Sequence, residues 1–438
     1  MLKHREKLLS ALGLDFHVVV TLLMRGWSIL AGAVMVVIIP KTLSAHHQGY
    51  YFTFLSLLGL QIFFELGLNQ VVTQFISKEL ALSEKDDGSK HRHFARISAA
   101  LRMLHKWYVL AAILFFVLTA SVGAYLFNRE ASIGTEEWLG PWLLLTACTA
   151  VNLYFSPLLA ATEGCGMVGQ VSRLRMIQGM VGSVVCWLML LGGLALWAIP
   201  AQALVMAIST PYWLNASQHV LKKFQAHAGP TDLNWFKEIF PFQWRLALSW
   251  MSGYLMYQLF TPMMFARVGA EAAGKLGLTL TIFNAIQSLG VAWFNARMPA
   301  ITERLHKATA EESATYFKHT FFRAVGLTLA IALIVSACLY LTGRMGLGLN
   351  ERLVDLPTVT LIAIGAIANT AIYGAATYMR AHGVEPMLTV SVVAAIATLA
   401  CVYTLAPKGV FPTMAGQVTI TLLLVTPWTY RLLKGYLK

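Results

Sequence analysis

The chain has 438 residues, of which 57% are apolar and only 12% charged, whereas roughly a quarter of a soluble domain is charged. Lipid must solvate most of such a chain, which leaves no room for a large soluble catalytic module. The formal charge of +13 sits on alternate loops rather than in one patch, which argues against a nucleic-acid partner.

Apolar runs bounded by charged or Gly/Pro-rich turns fall near 16–39, 49–70, 107–127, 138–161, 177–197 and 199–218, then near 246–266, 276–296, 322–341, 356–378, 386–406 and 412–430. Each approaches the ~20 residues that span a bilayer, so the expected fold is an all-α polytopic membrane protein of about twelve transmembrane helices. The charged N-terminus feeds directly into the first run, without the short apolar core and small-residue cleavage site of a signal peptide. With both termini on one side, most of the 33 Lys and Arg gather on that side, and the positive-inside rule places both termini in the cytoplasm. The external loops are too short to build a domain.

The largest cytoplasmic loop, 71–106, carries Lys78, Lys85, Lys90, Arg92, Arg96, Arg102 and Lys106. Phe94, Ile97, Leu101 and Leu104 share a helical face there, so a basic amphipathic helix is expected on the anionic leaflet, with membrane lipids as its partner. Tyr50, Tyr51, Trp107, Trp138, Trp142, Trp197, Trp213 and Trp428 fall near span ends and are expected as interfacial anchors.

Landmarks recur at an offset near half the chain: Arg25 with Arg245, Pro40 with Pro262, Gly49 with Gly274, Glu79 with Glu303 and Gly164 with Gly383. Six spans per half make the repeat a parallel one, giving an N-terminal six-helix lobe over 1–219 and a C-terminal lobe over 220–438. Substrate sites in such proteins commonly lie between the halves.

An ionisable group at bilayer depth is costly unless paired or facing water, so each is a functional candidate. Arg25 and Glu65 are expected at matching depth, about 22–24 Å from the external surface at 1.5 Å per residue, on consecutive antiparallel spans where they can pair. An always-charged guanidinium also suits bidentate binding of phosphate, and Glu65 is the candidate for ion coupling. Gln61, Glu65 and Asn69 form a stripe at four-residue spacing. Similar stripes are Asn152 with Ser156, Tyr254 with Gln258, Asn284 with Ser288 and Asn295, and Asn369 with Tyr373 and Thr377. These are read either as cavity lining or as interhelical hydrogen bonds.

Neither a metal nor a cofactor is expected. The five cysteines have no ligand spacing, and the pairs His91/His93 and His46/His47 lack further ligands. GCGMVG at 164–169 and GRMGLG at 343–348 lack the strand-turn-helix context of a phosphate cradle.

The run RGWSILAGAVMVVIIPKTLSAHHQGYYFTFLSLLGLQIFFELGLNQVVTQF, together with SWMSGYLMYQLFTPMMFARVGAEAAGKLGLTLTIF, resembles bacterial O-antigen flippases and related polysaccharide exporters of the multidrug/oligosaccharidyl-lipid/polysaccharide exporter superfamily. The resemblance implies two six-helix lobes around a cavity and ion-coupled movement of undecaprenyl-pyrophosphate-linked oligosaccharide across the inner membrane. Basic residues then hold the pyrophosphate, for which Arg25, Arg245 and Arg297 are the candidates. Asn69, Asn284, Gln258 and Asn369, from the polar stripes, are the further substrate-binding candidates. Other polysaccharide-assembly membrane proteins are the implied partners. The alternative is a cation-coupled multidrug exporter of the same superfamily. A polymerase or ligase fits poorly, because it needs long external loops.

Overall fold

The computed structural model describes residues 16–85, 90–227, 232–307, 309–344, 349–382 and 386–437. The regular structure of these residues is helical throughout, which pairs the backbone N–H and C=O groups of each helix interior within its own segment, as hydrocarbon demands. In order, the helices are α1 (Phe16–Thr42), α2 (Ala45–Glu65), α3 (Leu68–Lys85), α4 (Lys90–Glu130), α5 (Thr135–Thr162), α6 (Val168–Leu191), α7 (Ala201–Ala216), α8 (His219–Gln225), α9 (Trp235–Glu238), α10 (Phe240–Tyr257), α11 (Phe260–Arg267), α12 (Ala270–Lys307), α13 (Ala310–Arg344), α14 (Leu356–Ala381), α15 (Leu388–Leu405) and α16 (Val410–Tyr436).

Among the described residues, seven helices are long and apolar enough to cross a bilayer, or eight when the bent pair α2 and α3 counts as one span. The chain is therefore a multi-pass membrane protein. Length and composition return fewer crossings than the twelve runs of the sequence, partly because α5 and α6 join into one stretch of 57 residues. That is about 85 Å of helix at 1.5 Å per residue, far beyond the ~30 Å of hydrocarbon. The stretch is kinked over Glu163–Met167, where Gly166 adopts φ 90°.

Contacts divide the chain into two compact units, Met1–Ile38 with Leu58–Trp250, and Ile39–Leu57 with Met251–Lys438. In the first unit, Ile76, Ile97, Tyr108, Phe115, Leu153 and Phe224 are fully enclosed in an apolar core. In the second, Phe294, Phe317, Tyr378, Met379 and Ala394 do the same, with the Phe317 and Tyr378 rings stacked at 4.1 Å. The first part of α2, though it precedes the midpoint of the sequence, packs in the second unit. Gln48 Nε2 there donates to the carbonyls of Gly274 (2.8 Å) and Arg352 (3.0 Å).

Two expectations change. Residues 90–106 do not form a separate surface helix but the start of the 41-residue α4, and Ile97 and Leu104 are buried in the first unit's core with Phe94 and Leu101 against it. Protein, rather than lipid, takes up that apolar face. Tyr50, Trp138 and Trp142 are buried rather than interfacial: Tyr50 packs edge-on to Phe265 at 4.9 Å, and Trp138 and Trp142 both meet Phe127. Trp107 and Trp197 are exposed, as interfacial anchors should be. Gly383 and the 345–348 part of GRMGLG lie outside the described residues.

Candidate functional site

The second apolar run is helical up to Glu65 and then breaks. Leu66 and Gly67 both take left-handed backbone, φ 49° and 67°, and α3 leaves at 43° to α2. Glycine adopts this conformation freely, but for a leucine it costs about 1–2 kcal/mol. Gly67 is also required sterically, because a Cβ there would lie 2.9 Å from Leu246 Cγ. In a membrane protein such a break is tolerated where the freed backbone is buried in protein or lines a cavity, and broken helices frame the sites of many transporters.

Glu65 sits on the rim of this break. Gln61 Nε2 donates to its Oε1, and the charge of Arg175 on α6 acts on it. Tyr108 feels the Glu65 charge, bonds Ser156 and donates from its hydroxyl to Asn69 Oδ1 at 3.3 Å. Arg175 in turn makes an ion pair with Glu163 at 2.8 Å. The first unit thus holds a polar set made of three contacting couples, Gln61 with Glu65, Asn69 with Tyr108 and Arg175 with Glu163.

The expected stripe is corrected in one respect. The left-handed pair 66–67 interrupts the helix, so Glu65 and Asn69 are not successive turns of one face. Asn69 joins the set through Tyr108 instead. Arg175 was missed from sequence, where the fifth span appeared to begin at 177; the helix starts at Val168 and carries both Arg173 and Arg175. The local signal is the pair of arginines two and four places before the apolar run. Arg25 lies on α1, and its side chain falls outside the described ones.

The second unit holds a different polar ladder. Tyr373 Oη donates to Asn295 Oδ1 at 2.9 Å, linking α14 to α12. Tyr257 Oη reaches Asn369 Oδ1 at 3.4 Å, linking α10 to α14. Ser56 Oγ donates to the Gln258 carbonyl, and Tyr254 Oη donates to the Ser56 carbonyl at 3.3 Å. The side chains of Gln258 and Asn284 are exposed. In the first unit, Asn152 Nδ2 holds the Ala203 carbonyl at 3.0 Å. Several stripe residues thus act as interhelical glue, each worth about 0.6 kcal/mol in membranes.

The remaining candidate arginines are exposed and lie over aromatic rings. Arg245 is 5.7 Å from the Trp244 centroid on α10, and Arg297 is 5.6 Å from that of Trp293 on α12. Arg297 also borders a small cavity of about 250 Å³ with Arg323 and His319. No described group of three or more His, Cys, Asp or Glu is placed to hold a metal.

The sequence matches no family model and no curated protein. Solved structures are similar over nearly the whole chain. A multidrug resistance MATE family transporter of the MOP superfamily, in an inward-facing conformation, matches with TM-score 0.61 and 14% identity over 94% of each chain. The lipid II flippase MurJ, in an inward closed conformation, matches with TM-score 0.57 and 10% identity over 95% of this chain and 87% of its own. A MOP superfamily transporter from Pyrococcus furiosus matches with TM-score 0.50 and 15% identity over 95% and 94%. The helices described above are thus arranged in the fold of MOP-superfamily transporters.

Proposed function

We propose that this protein flips lipid-linked oligosaccharide, carried on undecaprenyl pyrophosphate, from the cytoplasmic to the periplasmic leaflet of a bacterial inner membrane by alternating access. The product serves cell-surface polysaccharide or O-antigen synthesis. The observation that carries this reading is the broken α2–α3 segment, with the Glu65, Asn69 and Tyr108 set on it, within a fold that the lipid II flippase shares. In this reading the twelve apolar runs form two six-helix halves, 1–219 and 220–438, with both termini cytoplasmic.

Arg25, Arg245 and Arg297 contact the pyrophosphate, whose oxygens suit bidentate guanidinium binding. Asn69, Asn284, Gln258 and Asn369 offer amide donors and acceptors to the sugar hydroxyls. Glu65, held by Gln61 and within the field of Arg175, gains and loses the coupling ion. Arg175 competes with that ion for the carboxylate, which provides a way to link occupancy of Glu65 to movement of α6.

Cells overproducing the protein separate this reading from multidrug export. Surface display of carrier-linked glycan rises while efflux of a fluorescent organic cation stays at the level of empty-vector cells. A rise in cation efflux with no change in glycan display would overturn the proposal.

A further inference from the structure

In the first unit a cleft of about 720 Å³ opens between α4, α5, α7 and α8. Its floor is apolar, including Leu101, Phe155, Leu158 and Leu214, and its rim carries Arg102, His105, Lys106 and Lys222; no acidic residue lines it. Arg102 Nη1 donates to Ser98 Oγ at 2.8 Å and His105 Nδ1 meets Tyr154 Oη at 3.3 Å. Among the described residues none of Arg102, Lys106 and Lys222 makes an ion pair.

The contrast with the preceding turns of α4 is instructive. Arg92 pairs with Asp232, and Arg96 pairs with Glu79 (3.2 Å), Asp232 (3.0 Å) and Glu238. The protein therefore supplies carboxylates to the first two arginines of α4 and none to Arg102 and Lys106, about two and three turns further on. A rim of three cations, Arg102, Lys106 and Lys222, without acids attracts an anion, and an apolar floor beneath it selects an anion with an apolar body.

The position on α4 indicates which one. Trp107, directly after the cationic turn, is 39% exposed, and Leu110, Ile113, Leu114, Val117 and Leu118 beyond it are all exposed as well. This is an apolar strip leading away from the rim, with an aromatic anchor at the level where headgroups begin. Tyr212 on α7, 80% exposed, lies next to the lining residue Pro211. Basic pockets between transmembrane helices at this level take up lipid phosphates.

We infer that this cleft binds the phosphodiester headgroup of an anionic phospholipid from the adjacent leaflet, with Arg102, Lys106 and Lys222 around the phosphate. His105 adds a ring N–H to the same rim, and the acyl chains follow the Leu110–Leu118 strip. This assignment does not depend on what the protein transports.

The test is native mass spectrometry of the full chain titrated with phosphatidylglycerol, with phosphatidylcholine, a polyprenyl diphosphate and inorganic phosphate as separate arms. Retention of phosphatidylglycerol over phosphatidylcholine is expected. The triple variant R102Q/K106Q/K222Q lowers its apparent affinity about 100-fold, at about 1 kcal/mol per removed cation. A control triple, K78Q/K85Q/K318Q, removes the same charge elsewhere and leaves the affinity within about twofold. Thermal unfolding of both variants separates loss of binding from loss of fold. Equal retention of the two phospholipids, an equal loss in the control, or displacement by inorganic phosphate alone overturns the inference. Preferred retention of polyprenyl diphosphate over phosphatidylglycerol overturns it in favour of a substrate site.

Discussion

Gly49 and Gly274 pack backbone against backbone: a Cβ on Gly274 would lie 2.8 Å from the Gly49 nitrogen, and one on Gly49 would overlap the Ala270 carbonyl. These are two positions that the sequence repeat sets in register, and they meet on α2 and α12 within one compact unit. Small residues that bring helix backbones together are the usual means of tight association in a bilayer, where no hydrophobic force separates helix from lipid. Gly274→Val is expected to force the helices apart and cost about 1–3 kcal/mol. A thermal unfolding transition of detergent-solubilised protein that does not shift would show that the approach is unimportant.

Gln48 fastens the same contact through two carbonyls and is 1% exposed. Gln48→Ala removes both of these buried hydrogen bonds, and a loss of about 1–3 kcal/mol follows. Gln48→Glu, which cannot donate to carbonyls while ionised, is expected to be at least as damaging in the same unfolding measurement; a silent Gln48→Glu would contradict the donor role.

At the helix break, glycine relieves strain at 66 and is required at 67. Leu66→Gly is expected to be neutral or stabilising despite the lost side chain, because φ 49° then carries no steric penalty. Gly67→Ala is expected to destabilise, since it meets both the left-handed φ and Leu246. Equal effects of the two substitutions in a denaturation series would mean that the break is not conformationally demanding.

Arg96 is the hub of an ionic cluster on α3, α4 and the segment 232–238, and it is 8% exposed while Glu79 is 3% exposed. Arg96→Leu leaves the buried Glu79 carboxylate with His93, whose Nδ1 lies 2.7 Å from Oε2, as its remaining partner, and about 3 kcal/mol of stability is lost. R96L/E79L recovers a large part of it. A double variant as unstable as the sum of the two single losses would show that the pair is not coupled.

The same cluster sets a pH dependence. Hydrogen bonds from Arg92 and then Arg96 hold the Asp232 carboxyl down at about 2, against 3.8 ordinarily, and Arg96 lowers that of Glu238. Both values are depressed on folding, so their contribution is complete above the unfolded values and fades as pH falls through the folded ones. Hydrogen exchange in residues 232–238 should therefore be constant in protection from neutral pH down to about 5, after the intrinsic rate is corrected, and rise only towards pH 2 to 4. A midpoint near pH 6 would place control elsewhere.

The proposed function gives ion coupling to Glu65. Glu65→Gln retains the hydrogen-bonding outline but not the charge, and it is expected to leave transport indifferent to an imposed proton or sodium gradient. Undiminished gradient dependence would make Glu65 a structural partner of Gln61 and Arg175.

The membrane class was legible because composition and the long apolar runs report solvent directly. Glu65 and Asn69 stood out because a polar group inside an apolar run is conspicuous. Other features depended on tertiary packing. Leu66 is a good helix former locally, so nothing before Gly67 announces a left-handed residue. Trp138 and Trp142 have the placement of interfacial anchors but are buried by Phe127 and the α4 backbone, where Trp142 Nε1 reaches the Ala120 carbonyl at 3.2 Å. Glu79 and Glu303 match in the sequence repeat, yet one is buried under Arg96 and the other makes an exposed pair with Lys307; charge alone does not tell these apart.

The central claim is tested most directly in liposomes that contain the purified protein and a polyprenyl-pyrophosphate-linked oligosaccharide, with glycan accessibility followed by an external lectin. The account predicts protein-dependent exposure of the glycan that an ion gradient accelerates, abolished in stable Arg25→Ala protein and partly restored by Arg25→Lys. Exposure no faster than in protein-free liposomes would contradict it, and normal rates in Arg25→Ala would remove Arg25 from the pyrophosphate site.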